Sequence, residues 1–249
     1  MSYFDFLNYA FAPLFRIPAV LAVLIVAITT SIIVTLVTKF ATNQDQMKKI
    51  KDEMSMHQKK IKEFRDNPSK VMEINKKVMG LNLDYMRHSF KAIFITLIPS
   101  FLILGWMGSN FAYEGIKPGQ EFAVRIVFEN GVSGIVNLTV PEGLYFTGSN
   151  STNIGSGIAN WTLKGGEGEY LLEFAYNGEK YQHSVLIGND GRYLAPIKKI
   201  KNGGVARIEI EYIPKSILNL FGWKMGWFLS YFIFSLIFTA SFRKILKVY

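Results

Sequence analysis

Three long apolar stretches of this 249-residue chain stand out for carrying no charged residue: residues 17–38, 92–113 and 225–242, of 22, 22 and 18 residues. An α-helix rises about 1.5 Å per residue and a bilayer's hydrocarbon core is about 30 Å thick, so about 20 apolar residues cross it. The first two windows reach that length. The third reaches it if residues 217–223 extend it, with Lys224 snorkelling to the interface. Trp106, Trp223 and Trp227 fall where an interfacial aromatic belt belongs. A cleaved signal peptide is the rival reading of the first window. Residues 1–16 lack a basic n-region, however, and the residues after the window are strongly basic, which opposes translocation. The sequence therefore predicts spans at 17–38, 92–113 and 217–242.

Charge orients them. Residues 39–91 hold 13 Lys/Arg against 7 Asp/Glu, and the tail 243–249 adds Arg243, Lys244 and Lys247. Residues 114–224 hold 11 of each sign, and Asp5 cancels Arg16, so the whole net charge of +9 lies on two segments that three spans put on one side. By the positive-inside rule that side is cytoplasmic. The expected topology is a multi-pass protein of the cell membrane. An external amphipathic segment (1–16) lies outside with the N-terminus, and a basic tail (243–249) lies inside. Three sequons, at Asn137, Asn150 and Asn160, fall in the expected external segment and mark candidate glycosylation sites. A nucleic-acid role for the +9 is the weaker reading, with contact to ribosomal RNA left to the basic loop.

Between the first two spans, apolar residues at Met47, Ile50 and Met54, then His57, Ile61 and Phe64, keep a three–four spacing, the seam of a coiled coil. Asp66-Asn67-Pro68-Ser69 breaks it, and the pattern restarts at Val71, Ile74, Val78, Leu81, Tyr85 and His88. Residues 39–91 thus read as a cytoplasmic antiparallel coiled-coil hairpin whose arms run on into the spans, with Gly80 as a weak point. Met47 and Met54 fill the seam. Met56, Met72, Met79 and Met86 lie off it and would offer adaptable apolar contact surface to clients or ribosome.

Inside the spans, hydroxyl residues form stripes: Ser31, Thr35 and Thr38, continued by Thr42; Ser89, Thr96 and Ser100, beside Pro99; and Tyr231, Ser235 and Thr239, in line with Arg243. On one helix such residues are usually glue that bonds its own i−4 carbonyl or a neighbour. Three helices with the same bias toward the cytoplasmic half instead suggest a shared hydrated groove open to the cytoplasm, which would lower the cost of bringing polar groups into the bilayer. No ionisable residue sits mid-span, which opposes proton relays and ion-coupled transport.

Residues 114–213 read as an inserted external all-β, sandwich-like domain. Strands are expected at 121–129 and 132–140 around Asn130-Gly131, at 169–177 and 179–187 around Asn177-Gly178, at 205–212 and at 159–163, with 148–157 as a loop. His183 has no nucleophile near it in sequence. The absence of cysteine excludes disulfides, thiol chemistry and Cys-ligated metal, and three scattered histidines oppose a metal site. No enzyme, cofactor or metal is expected.

The order of these parts resembles the core of the YidC/Oxa/Alb membrane-protein insertases, most closely the archaeal YidC-like branch related to subunit 3 of the endoplasmic-reticulum membrane complex. Residues 86–99 (MRHSFKAIFITLIP), 103–106 (ILGW) and 222–238 (GWKMGWFLSYFIFSLIF) with Arg243-Lys244 carry the likeness. The resemblance implies a cytoplasm-open hydrophilic groove at Ser31, Thr35, Thr38, Thr96, Ser100, Ser235 and Thr239, a client-binding hairpin, and no nucleotide. Bacterial members carry an arginine in the groove, whereas here no span contains one. The expected function is insertion or chaperoning of nascent membrane proteins. A surface binding or adhesion module acting through the β domain is the alternative, and a channel is disfavoured by the uncharged spans.

Overall fold

The computed structural model describes residues 5–200 and 202–248, so residues 1–4 of the expected N-terminal segment and the last tail residue lie outside it. Two compact units emerge: Met1–Trp106 with Ile217–Tyr249, and Met107–Ser216.

The first unit is helical. Helix α1 (Asp5–Phe11) and a 3-10 turn (Ala12–Arg16) precede α2 (Ala19–Ala41), α3 (Gln44–Glu63) and α4 (Pro68–Phe111), and α5 (Trp227–Ile245) closes the chain. Three of these, α2, α4 and α5, are long and apolar enough to cross a membrane. Helix α4 runs unbroken for 44 residues through Gly80 and Pro99, so the second hairpin arm does continue into its span. The first arm does not. Thr42 leaves helical geometry (φ −119°, ψ 152°), and the Asn43 side chain accepts a hydrogen bond from the Gln46 amide at 3.1 Å, starting α3 afresh. An N-cap needs neither glycine nor proline, which is why the break escaped the sequence pattern.

Residues 217–223 do not extend the third span either. Strands β10 (Leu218–Leu220) and β11 (Trp223–Met225), numbered after the nine of the second unit given below, form a two-stranded hairpin whose turn puts Phe221 (φ 53°) and Gly222 (φ 90°) in the left-handed region. The Gly222 amide bonds the Asn219 side chain at 3.1 Å. Asn-Leu-Phe-Gly thus behaves as a tight turn with two positive φ values, and α5 begins only at Trp227. Trp106, expected in an aromatic belt, is fully buried. Its indole N–H donates to Asn8 at 2.7 Å, and its ring meets Phe11 at a centroid distance of 4.6 Å.

The second unit holds β1 (Phe122–Phe128), β2 (Ile135–Thr139), β3 (Leu144–Phe146), β4 (Ser151–Asn153), β5 (Ile158–Gly165), β6 (Gly168–Tyr176), β7 (Glu179–Ile187), β8 (Ile197–Lys199) and β9 (Val205–Ile210). They make a five-stranded sheet, β3-β5-β1-β9-β8, and a four-stranded sheet, β4-β2-β6-β7, with every named pair antiparallel. Alternate residues such as Val124, Ile126, Trp161, Leu172, Phe174 and Ile208 enclose one core between the sheets. Trp161 of one sheet meets Phe174 of the other edge to face at 5.6 Å.

The two Asn-Gly signals diverge. At Asn177-Gly178 both residues have positive φ (49° and 79°), and β6 pairs with β7 in direct register, Tyr176 opposite Glu179. At Asn130-Gly131 only the glycine does (φ 84°), so no two-residue hairpin closes. The chain crosses instead from β1 in one sheet to β2 in the other. The expected loop 148–157 contains the short edge strand β4.

His183 on β7 is 7% exposed. Burial, and secondarily the Lys198 ammonium, hold its imidazole below the ordinary 6.5 despite a hydrogen bond with the Ala195 backbone. The folded state therefore keeps His183 neutral where the unfolded chain would be protonated. Below pH 6.5, down to its lowered pKa, the unfolded state binds more protons and stability falls with pH, by up to about 1.4 kcal/mol per pH unit. Hydrogen exchange on β6–β7 amides of the full chain should show this loss of protection. His183→Gln should flatten it in that window.

Candidate functional site

The site follows from how α2 meets α5. Small and β-branched residues on one face of α2, namely Ala22, Val23, Val26, Ala27, Thr30 and Ser31, are all buried, and the two helices pack along their length. Small residues allow close helix approach in a bilayer, where packing and hydrogen bonds drive association. Ser31 Oγ donates across the seam to the Ser235 carbonyl at 3.3 Å, and Ser230 is fully buried on α5. Thr30 Oγ donates to the Val26 carbonyl of its own helix at 2.7 Å.

Helix α4 is held more loosely. It makes no seam with either partner comparable to that of α2 with α5, its span window is 17% covered against 39% for α2 and 11% for α5, and Phe94, Ile98 and Phe101 are more than 60% exposed. Toward the hairpin end this leaves a cavity of about 340 Å³ between the three helices, with Thr35 and Thr38 of α2, Ser89 and Thr96 of α4, and Thr239 and Arg243 of α5 in its wall. Tyr85, Met86, Phe90 and Ile93 supply much of its apolar lining.

The hydroxyl stripes therefore divide by depth. Thr35, Thr38, Thr96 and Thr239 reach the cavity, whereas Ser31 and Ser235 belong to the α2–α5 seam. Ser100 is half-buried and lines none of this cavity. Most lining hydroxyls bond their own helix: Thr35 to the Ser31 carbonyl at 2.7 Å, Thr38 to Val34 at 2.8 Å, Ser89 to Tyr85 at 2.9 Å and Thr96 to Ala92 at 3.0 Å. Their protons are spent on the backbone, and only oxygen lone pairs remain to face the cavity. Donor character comes from Arg243, whose Nε is buried without a hydrogen-bond partner among the described residues. The cavity holds a guanidinium at its hairpin end, supplied by the last turn of α5. The signal was in the sequence, since Arg243 continues the i, i+4 stripe of Ser235 and Thr239.

On the hairpin, the side chains that escape full exposure along α3 from Met47 onward are Met47, Ile50, Met54, His57 and Ile61. From Val71 to Tyr85 on α4 they are Val71, Ile74, Val78, Leu81 and Tyr85. Asn67 caps α4 by accepting from the Lys70 amide at 3.2 Å. Met56, Met72, Met79 and Met86 are 47–74% exposed. Met72 and Met79 share an open recess with Ser69 and Lys76, while Met86 faces the three-helix cavity. In the β unit, Asn137 and Asn160 lie on strands and Asn150 in a turn, all three with exposed side chains. Among the described residues no group of three or more acidic or histidine side chains could hold a metal ion.

Ser31→Leu should overpack the α2–α5 seam and cost about 1–3 kcal/mol. Thr38→Val keeps the side-chain shape and removes a hydroxyl bonded only to its own helix, so its cost should stay below about 1 kcal/mol. Thermal unfolding of the full chain in detergent separates the two.

A family profile covers part of the chain. The profile of a family described as "Integral membrane protein EMC3/TMCO1-like" matches residues 6–159, from α1 through α4 into β5. Comparisons with curated proteins and with solved structures return no match. The matched family lies within the Oxa1/YidC/Alb3 insertase-related superfamily and is related to membrane insertion. The chain, with its three membrane helices and inserted β unit, belongs to the EMC3/TMCO1-like family of integral membrane proteins.

Proposed function

We propose that this protein is a membrane-protein insertase or chaperone that hands apolar segments of nascent clients to the bilayer without covalent chemistry or cofactor. The observation that carries this reading is the cavity between α2, α4 and α5, confined to the hairpin half of the spans. A polar flank crossing a bilayer costs several kcal/mol for each unsatisfied group. Threonine oxygens would accept from client N–H groups, and the Arg243 guanidinium would meet client carbonyls or carboxylates, so part of that cost is met inside the cavity. The thin cover of α4 provides a lateral exit to lipid.

In this reading the hairpin and the C-terminal tail face the cytoplasm, the N-terminus and the β unit face outside, and the protein resides in the cell membrane. The net positive charge of residues 39–91 and of the tail supports that orientation. The exposed methionines, Met72 and Met79 above all, would accept varied apolar segments, and the arms would pack as a coiled coil along their half-buried positions. Basic residues of the hairpin would bring it to ribosomal RNA. Exposed Asn137, Asn150 and Asn160 would be open to glycosylation.

A second reading, a surface binding module, has one feature in its favour. A polar recess of about 570 Å³ on the β unit is lined by Thr147, Ser149, Thr152, Asn160 and Thr162. The two readings differ in what filling the helical cavity does.

Thr38→Trp and Thr239→Trp should each lower insertion of a single-span client into proteoliposomes by roughly tenfold, corresponding to about 1.4 kcal/mol. Protease protection of the client's translocated flank provides the measurement. Unchanged insertion by both folded variants would favour the β unit as the working part.

A further inference from the structure

The span formed by α5 is short. Its uncharged part, residues 227–242, holds 16 residues, which at about 1.5 Å each reach about 24 Å. Helices α2 and α4 each hold 20 uncharged residues, 19–38 and 92–111, or about 30 Å, the thickness of the hydrocarbon core. The difference of about 6 Å is not made up beyond Phe242, where Arg243, Lys244 and Lys247 follow. It falls at the other end, where the β10–β11 hairpin joins α5 through Gly226 alone.

That hairpin is amphipathic. Its register sets Leu218 opposite Met225, Asn219 opposite Lys224 and Leu220 opposite Trp223. Successive side chains of a strand take opposite faces, so Leu218, Leu220, Trp223 and Met225 share one face, and Asn219 and Lys224 share the other. At the base of the apolar face Met225 is buried and Leu218 half-buried. Nearer the turn Leu220 and Trp223 are 45% and 63% exposed, and Phe221 in the turn itself is fully exposed. The apolar face thus runs out past the protein that covers its base.

Turn chemistry does not account for those side chains. Phe221 has φ 53°, a region where asparagine or glycine is at ease and a bulky ring is not. A pair of strands is also marginal in water unless a further surface supports it. The surface at hand is the bilayer that α5 enters one residue after β11 ends. Amphipathic elements lie in the membrane interface with their apolar face toward the acyl chains, a depth that suits tryptophan. Lys224, on the opposite face, would stay among the headgroups.

We propose that the β10–β11 hairpin lies in the membrane interface at the end of α5 remote from α3, with Leu220, Phe221 and Trp223 set among the acyl chains of that leaflet. The hairpin thereby completes the short third span with strand instead of helix. This requires only that α5 crosses the bilayer and stands apart from the insertion reading.

The chain contains no cysteine, so a single introduced cysteine carries a nitroxide label at one place. In the full-length protein in phosphatidylcholine proteoliposomes, a label at Phe221→Cys should meet oxygen, which concentrates in lipid, more than a water-soluble nickel chelate. It should match a label at Ile98→Cys, on the exposed face of the α4 span, and differ from one at Lys60→Cys, on an exposed face of α3. Nickel access equal to that at Lys60→Cys would overturn the proposal. Shielding from both reagents would overturn it too, because protein and not lipid would then cover the tip. Phe221→Asn gives a second check, since asparagine suits this turn better than phenylalanine. Loss of the lipid contact should still speed amide exchange over residues 218–225 about fivefold in nanodiscs. Unchanged or slower exchange would mean that the ring serves the turn alone, and would overturn the anchor.

Discussion

The helical unit depends on how closely α2 can approach α5. Ala22, Val23, Val26, Ala27 and Ser31 give α2 a face low enough to lie against its partner, and the Ser31–Ser235 hydrogen bond crosses that seam. In a bilayer no hydrophobic drive sorts one apolar helix from another, so close packing and a few polar links decide which pairs form. Once α2 and α5 are matched, α4 with its bulky Phe90, Ile93, Phe94 and Ile98 has no equally smooth face to offer. Its looser seat is what leaves the cavity.

Polarity within that cavity is restrained. A threonine in lipid satisfies its proton on its own helix, so the walls gain acceptor oxygens without exposing a stranded donor. The single strong donor, Arg243, sits at the cavity's hairpin end. There a charge is cheaper to keep, because a long side chain near a span's end can reach the interface.

Much of this was legible in the sequence. The three uncharged windows, the two-armed hairpin with its half-buried period, and an all-β insertion follow from hydropathy, a three–four spacing and period-two alternation, each averaged over many residues. What escaped depended on single residues. The break after α2 is made by the Asn43 side chain, and the β10–β11 turn by positive φ at Phe221, a residue with no turn signature of its own. Identical Asn-Gly pairs gave a hairpin at 177–178 and a sheet crossover at 130–131, because only the first puts both residues in the left-handed region. Within the candidate groove, periodicity grouped Ser31 with Thr35 and Thr38, since all lie on one helical stripe. Which hydroxyls face a neighbour and which face a cavity is set by packing against α5, and one helix's pattern does not encode it.

That division of the stripe is also where the functional account is most exposed. A photo-crosslinking side chain placed at Thr38, at Ser31 and at the lipid-facing Ile25, in the full-length protein bound to a stalled ribosome carrying one apolar segment, examines it directly. The account predicts client adducts from Thr38 and none from Ser31 or Ile25. Adducts absent at Thr38 in folded protein, or equally strong at Ser31, would contradict it.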